Sequence, residues 1–177
     1  MNSASQICQV FNACFLASYH TRLEGGGDEP VYLPGDETVP HRIIFRADYE
    51  RSALHEVAHW CHAGHARRQQ MDYGYWYQPA RDAEAQAAFE QAEARPQAIE
   101  RVLCLAAGIR FQVSIDNFDD AAIDPARFRT LVGHETLRLL EGGLNPRIRQ
   151  FALALCRQMP AGDASFDNPD NYQTPPD

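Results

Sequence analysis

The residues with the clearest chemistry are His55-Glu56-Val57-Ala58-His59. A helix turns about 100° per residue, so side chains four apart stand one above the other. His55 and His59 can therefore aim two imidazole nitrogens at one point, which is half of a tetrahedral or octahedral metal shell. Glu56 flanks the pair, close enough to act as a base on a metal-bound water or to orient a ligand. The chemistry-free alternative is a helix with two surface histidines. Apolar Leu54, Val57, Ala58 and Trp60 surround the pair, however, and histidines on a partly buried face need partners.

A third donor is required. The stretch reads HEVAHWCHAGH, so His65 stands where metzincin proteases carry their third histidine. That pattern needs a glycine at the position held by His62 to turn the chain back, and the glycine here is Gly64, so the match is defective. His62 and His65 read instead as a solvated helix end, where imidazole complements the C-terminal dipole. A carboxylate from the segment after Asp82 is the better candidate. Ala85, Ala88, Phe89 and Ala92 define the buried face of that segment. Glu93 lies about 40° from Phe89 around the helix and Glu90 about 100° away, so Glu93 points more nearly inward and Glu90 is the reserve. Two histidines and a carboxylate can hold Fe(II) in a facial triad or catalytic zinc, and donor type alone does not choose.

Composition narrows the alternatives. All 16 basic residues are arginine, which excludes a Schiff-base lysine and the phosphate-binding lysine of a P-loop. With 24 acidic residues the net charge is −8, a poor match for nucleic acid or an anionic membrane. The five cysteines are odd in number and lack CxxC spacing, so they read as buried thiols in a reducing cytoplasm. There is no G-x-S-x-G elbow and no G-x-G-x-x-G turn. The run Asp72-Tyr73-Gly74-Tyr75-Trp76-Tyr77 could be a sheet edge packed on the histidine helix. Its functional alternative is an amphipathic wall that stacks on an alkylammonium chain, with Asp72 as countercharge. Arg67-Arg68 reads as a solvated basic spot.

The elements that must position these residues follow from periodicity and punctuation. Residues 3–20 have helical spacing, with Ser3 and Gln6 as a capping box. Gly25-Gly26-Gly27 is expected to end that region. Val31–Leu33 and Arg42–Phe45 read as strands, and 49–63 as the helix carrying the histidines. Gly74–Tyr77 has strand character. A helix from Asp82 to Glu93 is expected to break at Arg95-Pro96, with a second running from Pro96 to Ala107. Phe111–Ile115 reads as a strand. Asp124-Pro125 and Asn145-Pro146 start two further helices, the first stopped by Gly142-Gly143 and the second ending near Gln158. The fold class is α+β. A single domain is expected over 1–160, with several helices, a small sheet and the HExxH on a central, zincin-like helix; residues 161–177 are expected to form a loose polar tail.

The string His55-Glu56-Val57-Ala58-His59-Trp60-Cys61, with Ala63-Gly64 and Arg67-Arg68, resembles the elongation factor P hydroxylase family. So do Asp72 to Tyr77, Arg81-Asp82-Ala83, Phe89-Glu90 with Glu93, Pro96-Gln97-Ala98, and Cys104 with Ala106-Ala107-Gly108. Thr21-Arg22-Leu23, Asp28-Glu29-Pro30 and Tyr32-Leu33-Pro34 match as well, so the resemblance covers roughly residues 10–155. It implies a cytoplasmic oxidoreductase that hydroxylates the β-lysyl-modified lysine of bacterial translation elongation factor P. Fe(II) is the implied metal, another divalent ion could occupy a purified sample, and O2 is the cosubstrate. On this likeness His55, His59 and Glu93 become metal ligands, with Glu90 in reserve. Glu56 becomes a catalytic group that handles protons or sits behind the ligands. Asp72 and Tyr75 become substrate contacts at an acidic pocket mouth. The HxD strand motif of jelly-roll oxygenases is absent, since no histidine has Asp or Glu two residues on. The competing readings are a zinc metallopeptidase with Glu56 as general base, and a non-enzymatic module that keeps a structural metal.

Overall fold

A computed structural model describes residues 3–47, 49–71, 83–114 and 125–177. Helix α1 (Ser3–Tyr19) leads into strands β1 (Thr21–Gly27), β2 (Val31–Leu33) and β3 (His41–Arg46). Helices α2 (Glu50–His62), α3 (Ala83–Ala107), α4 (Pro125–Glu141) and α5 (Pro146–Gln158) follow, with short 3-10 turns at Arg67–Gln69 and Pro169–Tyr172. The described residues thus form a mixed α+β domain of five helices and one three-stranded sheet. β3 is central in the sheet, parallel to β1 (Leu23 beside Ile43) and antiparallel to β2 (Tyr32 beside Ile43).

One core joins these layers. Phe11 and Phe15 of α1, Trp60 of α2 and Phe151 of α5 meet edge-on or tilted, with centroids 4.9–6.1 Å apart. Such aromatic pairs add directional preference to the large area they bury. This cluster ties α2 to α1 and α5. Leu54, Val57, Ala58 and Cys61 of α2 pack into the same core as Ile99, Val102 and Leu103 of α3.

Four sequence expectations are corrected. First, Gly25–Gly27 does not end the N-terminal region but lies inside β1. Gly26 has φ +96°, the register shifts between Glu24 and Gly27, and a Cβ on Gly25 would stand 2.7 Å from the Ala47 carbonyl oxygen. Glycine is therefore what lets the strand continue there. Secondly, α3 does not break at Pro96 but runs 25 residues through it. Proline deprives the carbonyl four residues back of its donor, at a cost of about 3 kcal/mol. Burial on both sides offsets that cost: Ala94, Ala98 and Ile99 are all within 3% of full burial. Thirdly, residues 111–114 form no strand. Their backbone groups are taken by Gln97, whose amide bonds Ser114 in both directions (2.7 and 3.1 Å), and by the Asp177 carbonyl, which accepts from Val113. Fourthly, the polar tail is not loose. Phe166 and Tyr172 are buried in the main core, Tyr172 Oη donates to the Phe166 carbonyl at 2.6 Å, and the Arg101 guanidinium lies 5.1 Å over the Tyr172 ring. Two aromatic anchors outweigh the surrounding Asp, Asn and Pro.

At the N-terminus Ser3 already lies within α1, and Gln6 donates to the Gln158 carbonyl rather than completing a capping box. The five cysteines are free thiols. No helix among the described residues is long and apolar enough to cross a membrane.

Candidate metal centre

α2 and α3 pack against each other with their polar residues facing at one level. His55 and His59 sit one turn apart on α2, and their Nε2 atoms are 3.1 Å apart. Glu93 enters from α3, with Oε2 3.6 Å from His55 Nε2 and Oε1 3.4 Å from His59 Nε2. One donor atom from each of the three residues lies within 4.8 Å of the others. The Glu93 side chain is 3% exposed, while the histidines keep about a quarter of their surface. A divalent ion sits about 2.0–2.2 Å from such donors, which places them about 3–3.6 Å apart around it. The observed spacings match, so donor chemistry and geometry both fit a divalent transition metal.

Glu90 lies elsewhere. Its carboxylate is held by Gln86 (3.3 Å) and by Arg127 of α4 (3.5 Å), and it does not join the histidines. The three-residue step from Glu93 turns it toward α4. His62 and His65 are exposed at the end of α2 and also stand outside the group. Asp72, Tyr75 and the Gly74–Tyr77 segment lie outside the described residues.

Two residues beside His55, His59 and Glu93 were given no role by the sequence. Glu100, 3% exposed, accepts from or pairs with His55 Nδ1 at 2.8 Å. Gln97, 1% exposed, hydrogen-bonds the Glu93 carboxylate while its amide also holds Ser114. Glu93, Gln97 and Glu100 fall at i, i+4 and i+7, one face of α3. A polar stripe on a face that should be apolar was the available signal.

The charges respond to this packing. Burial pushes the His55 imidazole down, but the hydrogen bond and charge of Glu100, with the charges of Glu93 and Glu56, outweigh it and raise it to about 10. Burial pushes the Glu93 carboxyl up, but the charges of His59 and His55 and the bonds from His59 and Gln97 hold it down at about 2. In the metal-free protein the raised histidine contributes stability that is complete below its unfolded value of 6.5 and lost as pH climbs through about 10. The depressed carboxyl contributes stability present above 4.5 and lost as pH falls through about 2. The metal-free melting temperature is therefore expected to decline from pH 6.5 toward 10. Saturating Co(II), which displaces the proton, should flatten that decline. Equal pH slopes with and without metal, measured by scanning fluorimetry, would contradict this.

A cavity of about 200 Å³ opens beside His59. Glu56 and His59 line it together with apolar Ile43, Ala92 and Pro96 and with Arg67 and Arg68. The described lining carries one carboxylate and two guanidiniums; Asp72 and the rest of the 72–77 run, expected to make the mouth acidic, lie outside the described residues. Arg68 is not a solvated basic residue. It donates to the Ala63 carbonyl at 2.7 Å and lies 5.8 Å over the Trp60 ring.

With this geometry in place, similarity to known proteins assigns the family. The sequence profile of the elongation factor P hydroxylase family matches residues 10–167. The chain is also 44% identical over 151 residues to the elongation factor P lysine hydroxylase of Haemophilus influenzae, covering 84% of this chain and 85% of that protein. This chain is a member of the elongation factor P hydroxylase family.

Proposed function

We propose that this protein hydroxylates a lysine side chain of elongation factor P in the cytoplasm, acting on the form that carries a β-lysyl group. The observation that carries the reading is the His55, His59 and Glu93 grouping, buried on one side and open to a cavity on the other, in a chain of this family. These three residues would hold Fe(II), which supplies O2 binding and the oxidising power for an unactivated C–H bond. One oxygen atom enters that bond as hydroxyl. The other leaves as water, taking two electrons from a reductant and two protons from solvent.

The chain's own residues set up that chemistry. Glu93 balances part of the ion's charge. His59 and Glu56 both line the cavity, so a side chain that enters it to reach His59 can also meet the Glu56 carboxylate. That carboxylate can receive a proton or face the ammonium of a modified lysine. Ile43, Ala92 and Pro96 pack against methylene groups and exclude water, which limits oxidation to the carbon they hold in place. The hydrolytic alternative uses the same donors, with Glu56 as general base on a zinc-bound water. Its support is the position of Glu56 beside His59 on the cavity wall.

Mass spectrometry separates the two. Purified protein loaded with Fe(II), incubated in air with β-lysylated elongation factor P and a reductant, should add one oxygen to the factor. His55→Ala should add none. A factor cleaved in the presence of zinc, with no mass gain under iron and air, would establish the peptidase instead.

A further inference from the structure

We infer that Glu100 is a positioning residue for His55, fixing which ring nitrogen faces the metal and how the ring is turned. This rests on reading His55 as a ligand, and it extends the site by a residue that touches neither ion nor substrate. Three observations carry it. The Glu100 carboxylate meets Nδ1 of His55 at 2.8 Å, while Nε2 of the same ring faces His59 and Glu93. An imidazole whose Nδ1–H is given to a carboxylate must present its lone pair at Nε2, the nitrogen on the metal side. Secondly, Glu100 is 3% exposed, and His55 is its ion-pair partner among the described residues. A carboxylate buried against an imidazole alone is costly unless that ring carries positive charge. A ring bound to a divalent cation meets the condition. Thirdly, Glu100 comes from α3, the helix that also delivers Glu93, two turns further on. One rigid element therefore sets both the ligand carboxylate and the group that aims the ligand histidine across from it.

The arrangement leaves little slack. The ring of His55 is held at both ends, and the rings of His55 and His59 cross at 74° with centroids 4.7 Å apart. Without Glu100 the His55 ring can rotate about its side-chain bonds or bind through the wrong tautomer. Glu93 cannot compensate, because it lies on the other side of the ring.

The test is Co(II) binding to the metal-free protein, without substrate, read by titration and by the cobalt d–d absorption. Glu100→Ala should weaken binding by about 10- to 100-fold and shift the cobalt bands. Glu100→Gln, which keeps the shape and can still accept the Nδ1 proton, should fall between Ala and the parent. If Glu100→Ala does not fold, Glu100→Gln carries the test alone, with weaker binding and shifted bands expected. Unchanged affinity and spectrum in the variants, with His55→Ala losing cobalt, would reduce Glu100 to a tether between α2 and α3. Should His55→Ala itself bind cobalt like the parent, the ligand reading fails first and this inference with it.

Discussion

Glu93→Gln is expected to weaken divalent-metal binding well beyond the roughly 10- to 100-fold that loss of an outer partner costs. The amide keeps the length and shape of the side chain but offers a neutral oxygen to a cation. Glu93 is 3% exposed and stands 3.4–3.6 Å from both imidazole nitrogens, so no water or neighbouring acid can take its place without repacking α2 on α3. The depressed carboxyl says the same thing from the other side: the site is built to keep this group ionised. Glu90→Gln is the matched control. It lies on the same helix, is equally buried and carries the same charge, but it is held by Gln86 and Arg127. Calorimetric titration with Co(II) should find the Glu90 variant close to the parent. The reverse order of the two variants would move the carboxylate ligand to Glu90. Tight binding in both would remove the carboxylate from the ligand set.

What was legible in the chain, and what was not, divides along a physical line. The four-residue step from His55 to His59 is a property of one helix, so it could be computed from spacing alone; the angle from Phe89 did not separate Glu93 from Glu90, since both are buried and only their partners on other helices tell them apart. The starts at Pro125 and Pro146 and the stops at Gly108 and Gly143 are local backbone chemistry and were equally readable. The misses needed information from outside the segment. Whether Pro96 ends a helix depends on how much surface its two halves bury, and that is decided by α2, α4 and α5. Whether Gly25–Gly27 is a turn or a strand depends on the space left by Phe45 and Ala47. Phe166 and Tyr172 look like two aromatics in a polar tail until a core exists to receive them. Glu100 is the sharpest case. Its identity and its place on the polar stripe of α3 were visible, but its partner lies 45 residues earlier on another helix. Charge balance is silent for a related reason: a net −8 says nothing about which side chains line one cavity, where Glu56, Arg67 and Arg68 stand together.

Arg147→Met is expected to cost about 3 kcal/mol of stability, a fall of about 6–12 °C in melting temperature for a chain of this size. The reason is the C-terminal end of α2. A helix leaves its last carbonyls without internal donors, and the partial negative charge there calls for a cation. Arg147 of α5 meets both needs, donating to the carbonyls of Trp60 (3.1 Å), Cys61 (3.1 Å) and Ala63 (2.8 Å). Asn145 adds a bond to the Cys61 carbonyl at 3.0 Å, and the guanidinium itself lies 4.8 Å over the Trp60 ring. Methionine preserves the aliphatic stem and its packing but leaves these carbonyls without the cation. Arg147→Lys should recover only part of the loss, because an ammonium cannot span three acceptors and lie flat on an indole. The consequence reaches the site because His59 belongs to the turn that these bonds close, and Trp60 and Ala63 line the cavity beside it. Looser anchoring there should weaken cobalt binding, and saturating metal should in turn restore part of the lost melting temperature, since an ion that binds only the folded chain adds its binding energy to folding. A drop of less than about 2 °C in Arg147→Met, with cobalt affinity intact, would mean that the aromatic cluster of α1 and α5 alone holds α2 in register with α3.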